Sequence, residues 1–239
     1  LASEGSYILA ICSDQPPAFN SSTPQIPTSI FRIDPADSQT YVQYHYSSRM
    51  TNILDDIALD SLGNMYITNS YNPATFFSGL PGITKLTPRP DELDDKPWLT
   101  RESYPVGQPS GISIDGESVY FSDADTLYLI TFNDNGGIGD ISSIYVTESR
   151  DNIDSIAIGP NFIALATARS QISWLTPEGT EGSVVIIDKY THEIIHSISS
   201  KDMQYIPTSI VLSNSDTFGV NNLYVTDYIN GGLYVIEAQ

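Results

Sequence analysis

The sequence predicts an all-β fold, a β-propeller of four-stranded blades, with five blades as the main prediction and six as the alternative. Short runs rich in β-branched and aromatic residues alternate along the 239 residues with turns of Gly, Pro, Asn and Asp. The segment DDIALDSLGNMYITNS, at 55–70, also recurs. Ile57 of this segment has counterparts at Ile112, Ile156 and Ile210, which follow at successive intervals of 55, 44 and 54 residues. These four residues are called here the anchor isoleucines. Four-strand cassettes spaced by about 40–50 residues are typical of β-propellers. A two-sheet sandwich is the alternative, but it does not predict such a cassette.

Each cassette supplies the strands of one blade in chain order. The first strands are DDIALD, PSGISID, IDSIAIG and PTSIVLS, and the second strands are NMYITN, SVYFSD, IALATA and NLYVTD. The third strands are GITKLT, TLYLITF, SVVIID and GLYVIE, and the fourth are KPWLTRESY, DISSIYV and HEIIHSIS. AICSD, SIFRID and TYVQYHY form a further copy near the N-terminus. We therefore expect one domain over residues 1–239, in which the first blade lacks its first strand and the last blade lacks its fourth.

Composition and charge exclude several classes of function. The chain has 29 acidic and 10 basic residues, a net charge of −19, which repels nucleic acid and attracts cations. No run of 18 apolar residues is present, so we expect no membrane span. Cys12 is the only cysteine, so an internal disulfide is excluded. Asn20 begins a glycosylation sequon, and with few lysines and many Ser, Thr and Tyr residues it predicts a secreted glycoprotein. Because Leu1 is not a start residue, we expect a processed or trimmed N-terminus.

A recurrent acid or amide ends the second strand of most cassettes. In a propeller blade, the turn entering the first strand and the turn leaving the second lie on the same face, around the central channel. The residues that end the second strands are Asp14, Asn69, Asp123, Ala168 and Asp227, and those that enter the first strands are Asp55, Asp56, Ser110, Asp154 and Thr208. These side chains predict a polar ligand site at one mouth of the channel. The alternative is that the corner residues only cap the backbone in Asx-turns.

Two of the entry acids are the best candidates for chemistry. Asp56 and Asp154 are predicted to be catalytic and to hold a divalent cation such as calcium through oxygen ligands, because converging carboxylates without a cation repel one another. Three of the loops between second and third strands are long, contain proline, and carry aromatic residues, among them Phe76, Phe77 and Trp174. Long ordered loops on one face of a scaffold commonly bind ligands, so we expect these aromatic residues to cover the site. The alternative is that these aromatic side chains only pack against the domain and hold their own loops in place.

Other catalytic arrangements are not supported by the sequence. His45 lies on a predicted outer strand, and His192 and His196 lie near the predicted outer hairpin of the fourth cassette. Without a histidine at the channel mouth, a Ser-His-Asp triad is not expected. The segment NDNGGIGD, at 133–140, does not have the ligand spacing of a known calcium loop and predicts a glycine-rich hairpin turn.

The cassettes resemble those of a known superfamily. QPSGISIDGESVYFSDADTLYLITF, DDIALDSLGNMYITNS and PTSIVLSNSDTFGVNNLYVTDYINGGLYVI are similar to the repeats of the gluconolactonase, regucalcin and strictosidine-synthase-like propellers, and to NHL-type repeats. The resemblance implies a divalent cation held at first-strand entries, which by position are Asp55 or Asp56, Ser110, Asp154 and Thr208. It also implies a lactonase or esterase-like hydrolase. Some relatives instead bind and orient a hydrophobic substrate without a metal.

Three functions follow from these observations. The main prediction is a secreted propeller that binds a small organic ligand at the channel mouth and hydrolyses it with metal assistance. A non-catalytic binding propeller, such as a lectin or a protein-interaction module, is the first alternative, although loops of unequal length argue against a symmetric lectin. A metal-free pocket that folds a substrate for cyclisation is the second alternative. The oligomeric state is not predicted.

Overall fold

A computed structural model describes most of the predicted strands. The described residues are 2–4, 7–13, 28–34, 37–45, 53–70, 82–88, 93–148, 150–169, 181–199, 206–213, 222–227 and 231–237. Throughout these ranges the regular elements are β-strands, and no α-helix occurs. A search of the same residues finds no helix long and apolar enough to cross a bilayer. The all-β prediction is confirmed.

Within the ranges that the structure describes, five sheets follow one another along the chain, each with its strands in sequence order. The first sheet consists of β1 (Ala2–Glu4), β2 (Tyr7–Ser13), β3 (Thr28–Asp34) and β4 (Asp37–His45). The second consists of β5 (Ile53–Leu59), β6 (Met65–Ser70), β7 (Gly82–Pro88) and β8 (Leu93–Thr100). The third consists of β9 (Pro109–Asp115), β10 (Ser118–Asp123), β11 (Thr126–Phe132) and β12 (Ile138–Val146).

The last two sheets differ in their number of strands. The fourth sheet consists of β13 (Asn152–Ile158), β14 (Phe162–Ala168), β15 (Gly182–Asp188) and β16 (Ile194–Ser199). The fifth has three described strands, β17 (Pro207–Ser213), β18 (Asn222–Asp227) and β19 (Leu233–Glu237). The four-strand cassette is therefore confirmed in the first four sheets, and the missing fourth strand of the last cassette stays a prediction. The number of blades stays a prediction.

The expectation that the first cassette lacks its first strand is wrong. β1 pairs with β2 in antiparallel fashion, from Ala2 opposite Leu9 to Glu4 opposite Tyr7. A strand of three residues is too short to show the period-2 alternation by which strands are recognised in a sequence. Its pairing partner, and not its own pattern, determines its conformation.

Two short turns connect the last three strands of the third sheet. Only Ala124 and Asp125 separate β10 from β11, and Ala124 has a φ of 52°, in the left-handed region that tight hairpins require. In the segment predicted as a glycine-rich turn, Gly136 has a φ of 70° and its N–H donates to the Asn133 carbonyl at 2.8 Å. These turns keep β10 to β12 closely connected.

The chain divides into two compact units. The first comprises Leu1–Ser118 with Thr131–Asp140, and the second comprises Val119–Ile130 with Ile141–Gln239. The first unit has a core of buried aliphatic side chains from its first two sheets, including Leu9, Ile30 and Ile57. The second unit has two such cores, one around Ile153 and Leu165 and one formed by the residues Ala157, Ala164, Ala166, Val184, Ile210, Leu223 and Val225. The prediction of a single domain stays a prediction.

Candidate functional site

The predicted site residues at first-strand entries lie on β-bulges in three of the sheets. In the second sheet the bulge falls between Leu54 and Ile57, so that two residues, Asp55 and Asp56, face one. In the fourth and fifth sheets the extra residues are Asp154, after Ile153, and Thr208, after Pro207. A bulge leaves its extra residue outside the regular ladder and redirects its side chain, and such bulges are common beside active sites. The repeat thus presents equivalent positions in the same irregular conformation.

Asp56 binds backbone N–H groups with both carboxylate oxygens. Its Oδ1 accepts from the N–H of Ile57 at 2.9 Å, and its Oδ2 accepts from the N–H of Ile112 at 3.1 Å, on β9 of the next sheet. Burial raises the pKa of Asp56 from the ordinary value of 3.8 to about 6, although both hydrogen bonds act in the opposite direction. Asp56 therefore connects two neighbouring first strands of the first unit.

Thr68 reinforces the same connection from β6. Its Oγ1 accepts from the N–H of Asp56 at 3.0 Å and donates to the carbonyl of Ser110. The Thr68 side chain is fully buried. The structure therefore brings the predicted residues Asp56 and Ser110 together, on adjacent strands of the first unit. Asp55, in contrast, is exposed.

Ser155 performs in the second unit the role that Asp56 has in the first. It is buried, stands directly before an anchor isoleucine as Asp56 does, and its Oγ accepts from the N–H of Ile210 at 3.3 Å, on β17. This bond joins the first strands that carry Asp154 and Thr208. The Oγ1 atoms of Thr208 and Thr226 are 3.2 Å apart and share a hydrogen bond. Sequence analysis missed Ser155, although its alignment with Asp56 was a usable signal.

Asp154 differs from the other predicted acids that the structure describes, because its carboxylate has no partner among the described residues. Among the described residues, nothing donates a hydrogen bond to its carboxylate, and no cation pairs with it. The side chain is partly buried, and burial raises its pKa from 3.8 to about 7. A carboxyl group that exchanges its proton near neutral pH suits general acid–base chemistry.

Two of the corner residues at the ends of second strands, Asp227 and Asn69, hold nearby polar groups by hydrogen bonds. Asp227 is buried, and its Oδ1 accepts from the N–H of Ile206 at 3.1 Å. Asn69 is also buried, and its Nδ2 donates to the Ile67 carbonyl and to Thr84 Oγ1. These contacts match the capping alternative for two of the corners. Asp123 is partly buried at the end of β10.

The strand register changes which residue of the fourth sheet occupies this corner. Asn69 pairs with Leu54 and Asp227 pairs with Pro207, each opposite the residue three positions before the anchor isoleucine. In the fourth sheet the corresponding partner of Ile153 is Thr167, and not Ala168. The corner therefore carries a hydroxyl group, which donates to the carbonyl of Ser183 at 3.1 Å. The bulge is common to all three sheets, but the turn is shorter in the fourth sheet, where Ile158 pairs with Ile163 across four residues, whereas Leu59 pairs with Met65 across five. A direct alignment of the second strands therefore places the corner of the fourth sheet one residue too late.

An ionic cluster next to this corner was also missed by sequence analysis. The Nε of Arg169 lies 3.4 Å from Oδ1 of Asp151, which is buried, and its guanidinium lies 3.3 Å from Glu181. The N–H of Arg169 also donates to the carbonyl of Glu181 at 2.8 Å. These contacts join the end of β14 to the start of β15. The residues are far apart in sequence, and nothing in their spacing indicates that they meet.

The described residues do not form a set of metal ligands. Within the ranges that the structure describes, no group of three or more His, Cys, Asp or Glu side chains is arranged to hold an ion. Both oxygens of Asp56 already accept N–H donors, which would compete with a cation. The predicted cation stays a prediction, and no step is assigned to it. Several further predictions lie outside the described residues, namely the aromatic residues Phe76, Phe77 and Trp174, the corner Asp14 and the glycosylation site Asn20.

Comparison with known proteins identifies the fold and no family. No protein-family model and no curated protein matches this sequence. Among solved structures, the chain is similar to a luciferin-regenerating enzyme, with 15% identity, a TM-score of 0.56, and coverage of 87% of this chain and 67% of the other. It is similar to an α-L-arabinofuranosidase from Clostridium thermocellum, with 11% identity, a TM-score of 0.58, and coverage of 95% and 81%. It is also similar to a glucose dehydrogenase, with 8% identity, a TM-score of 0.58, and coverage of 98% and 78%. These structures are β-propellers, and the likeness shows that this chain has the β-propeller fold.

Proposed function

We propose that this propeller is a hydrolase of a small organic ligand, an ester or a lactone, in which Asp154 is the general base. The observation that carries the proposal is the state of Asp154, which combines a bulge position, partial burial and an unpaired carboxylate among the described residues. Burial raises the pKa of Asp154 to about 7, so the ionised form that a general base requires is accessible near neutral pH. The ionised form takes a proton from water as the oxygen of that water attacks the carbonyl carbon. The tetrahedral adduct then collapses with cleavage of the bond between the carbonyl carbon and the ester oxygen, and protonated Asp154 returns its proton to that leaving oxygen, which gives a carboxylic acid and an alcohol.

The hydroxyl groups on the neighbouring first strand support this assignment. Thr208 occupies the bulge of β17, and among the described residues its hydroxyl shares a hydrogen bond with that of Thr226, which is exposed. Either hydroxyl can donate a hydrogen bond to a ligand oxygen after a rotation about its C–O bond. We assign these two threonines to ligand positioning and Asp154 to proton transfer. Asp56 is assigned a structural role, since both of its oxygens bind the backbone.

Resemblance to the gluconolactonase-like propellers supports the same reaction class, but the comparisons with solved structures extend only to the fold. A five-bladed ring, a single domain, secretion and glycosylation of Asn20 belong to the same proposal. Mass measurement of the secreted chain before and after enzymatic removal of N-glycans tests the last two. A calcium ion is a separate proposal, tested by isothermal titration of the purified protein with CaCl₂ after treatment with EDTA.

The test of the reaction is a pH–rate profile on a panel of simple lactones and aryl esters. We expect kcat/KM to rise with pH through an inflection near 7, and Asp154→Asn to lower it by roughly 100-fold or more. Asp140→Asn is the matched control, because Asp140 is exposed and lies on β12, away from the bulges. Hydrolysis that is equal in wild type and Asp154→Asn overturns the assignment. Binding of a panel member without turnover supports the non-catalytic binding propeller instead.

A further inference from the structure

The acidic residues of the second unit are concentrated at one end of its strands, called here the acidic end. Second strands finish and first strands begin at this end, so it carries Asp154 and Thr208. Seven of the ten acidic residues that the structure describes in this unit lie there, together with two arginines. The acids are Asp123, Asp125, Glu148, Asp151, Asp154, Glu181 and Asp227, and the arginines are Arg150 and Arg169. The described acids at the opposite end are Asp188, Glu193 and Glu237.

Hydrogen bonds show that the strand ends at the acidic end lie side by side. The N–H of Ile153, at the start of β13, donates to the carbonyl of Ala124 in the turn between β10 and β11, at 2.9 Å. The bond from the Ile210 N–H to Ser155 joins β13 to β17 in the same way. Neighbouring strands lie about 4.8 Å apart, and charges act over a Debye length of about 8–10 Å in ordinary salt. The charges at neighbouring strand ends therefore act together on a ligand at Asp154.

The two arginines of the acidic end already contact acids. The guanidinium of Arg169 lies 3.4 Å from Asp151 and 3.3 Å from Glu181, so two carboxylates compete for its donors. Arg150 lies 4.0 Å from Asp125, and its side chain is 85% exposed and extends into solvent. Neither arginine pairs with the carboxylate of Asp154. The described part of the acidic end therefore presents an excess of negative charge to a ligand.

We propose that the Asp154 site selects its substrate by charge. It prefers an ester or lactone that carries a protonated amine or a quaternary ammonium group, and it disfavours one that carries a carboxylate or a phosphate. A negative field raises the local concentration of a cationic substrate and speeds its association. Asp151 and Glu181 determine this specificity together with the other acids, because they hold the guanidinium that would otherwise bind an anion. The inference rests on the proposed function for the position of the site.

Hydrolysis of esters that match in shape and differ in charge measures the selection. Acetylcholine is the cationic ester, 3,3-dimethylbutyl acetate the neutral one, and 4-acetoxy-2,2-dimethylbutanoate the anionic one. In roughly 20 mM NaCl, kcat/KM should be about tenfold or more higher for the cationic than for the anionic ester, with the neutral ester between them. In roughly 500 mM NaCl the ratio should fall to about threefold or less, because salt screens the field. Equal values, or a preference for the anionic ester, overturn the inference.

The exchange Glu181→Gln tests the origin of the preference. It removes one negative charge from the acidic end and one of the two acids that hold Arg169, so the ratio of cationic to anionic kcat/KM should fall about threefold or more. Glu193→Gln is the matched control, because it changes the net charge equally but lies at the opposite end of the same sheet and is exposed. It should change the ratio by less than about 1.5-fold. Equal effects of the two variants contradict the proposal, since they indicate the net charge of the whole chain.

A binding measurement separates the charge selection from the proposed reaction. Tetramethylammonium chloride and sodium pivalate are compact probes of opposite charge, and each is titrated into the ¹⁵N-labelled full chain. Tetramethylammonium should shift the amide signals of Asp154, Ser155 and Thr208 at about tenfold lower concentration than pivalate. If no ester is hydrolysed, the proposed function fails and these shifts alone decide the inference. In that case a preference for tetramethylammonium supports it, whereas equal shifts, stronger shifts with pivalate or no shift with either probe overturn it.

Discussion

Asp56 in the first unit and Ser155 in the second occupy equivalent positions and join neighbouring sheets, one with a carboxylate and the other with a hydroxyl group. Each stands before an anchor isoleucine, and each accepts the N–H of the anchor isoleucine of the next sheet, Ile112 for Asp56 and Ile210 for Ser155. A hydroxyl oxygen is sufficient for this connection. The negative charge of Asp56 is therefore not needed to join the sheets, and burial acts against it.

The residue directly before each member of this pair is an aspartate, and the two aspartates differ in burial. Asp55, next to Asp56, is exposed, whereas Asp154, next to Ser155, is partly buried. In the second unit the connection is made by a neutral side chain, and the acid at the bulge forms no hydrogen bond with any described residue. This difference separates the two acids that sequence analysis treated as a catalytic pair. One acid has a structural role, and the other is available for chemistry.

The largest expected effect of this difference is on the pH dependence of stability. Both acids have folded-state pKa values above 3.8, about 6 for Asp56 and about 7 for Asp154, so the folded state holds their protons more tightly than the unfolded state. Their contribution to stability is complete below about pH 4 and is lost as the pH rises through each folded-state pKa. The loss is on the order of 3 kcal/mol for Asp56 and 4 kcal/mol for Asp154.

Urea unfolding between pH 4 and pH 8 measures this loss. Asp56→Ser should remove the part that ends near pH 6, and Asp154→Asn should remove the part that extends to about pH 7. Asp140→Asn should leave the profile unchanged, because Asp140 is exposed. If the free energy of unfolding of Asp56→Ser and of Asp154→Asn depends on pH as that of wild type does, burial does not raise the pKa of either acid.

The second effect concerns the neutral member of the pair. Ser155→Ala removes the acceptor of the Ile210 N–H, and a buried donor without a partner costs about 1–2 kcal/mol. The free energy of unfolding at pH 7 should fall by that amount. Ser143→Ala, on the exposed side of β12, is the control and should change stability by less than about 0.5 kcal/mol. Equal small changes in the two variants indicate that the Ser155 bond contributes no net stability.

The strands were predictable because their signal is local. Alternating apolar residues and Gly or Asn turns define β9 to β19 and most of β2 to β8, and the repeat itself indicated four-stranded units. β1 was not predictable, since three residues carry no period and its conformation depends on pairing with β2.

The candidate site was predictable in position but not in role. The sequence alignment found the residues that enter the first strands, and the structure places three of these entries on bulges. The direction of each side chain depends on the bulge, and its role depends on partners that are distant in sequence, such as Ile112 for Asp56. For this reason the sequence does not distinguish the role of Asp56 from that of Asp154. Their hydrogen bonds in the structure do.

The smallest effect compares two substitutions at one position. Asp56→Ser gives the first unit the hydroxyl acceptor that Ser155 provides in the second unit. Asp56→Ala removes the charge without supplying an acceptor. At pH 7 both variants lack the buried carboxylate, so the difference between them isolates the bond to the Ile112 N–H. Asp56→Ser should be more stable than Asp56→Ala by about 1 kcal/mol in urea unfolding. The corresponding exchange at the adjacent exposed position, Asp55→Ser against Asp55→Ala, should give a difference close to zero. If the serine and alanine variants at position 56 are equally stable, a hydroxyl at this site does not reach β9, and the two units do not share one means of joining their sheets.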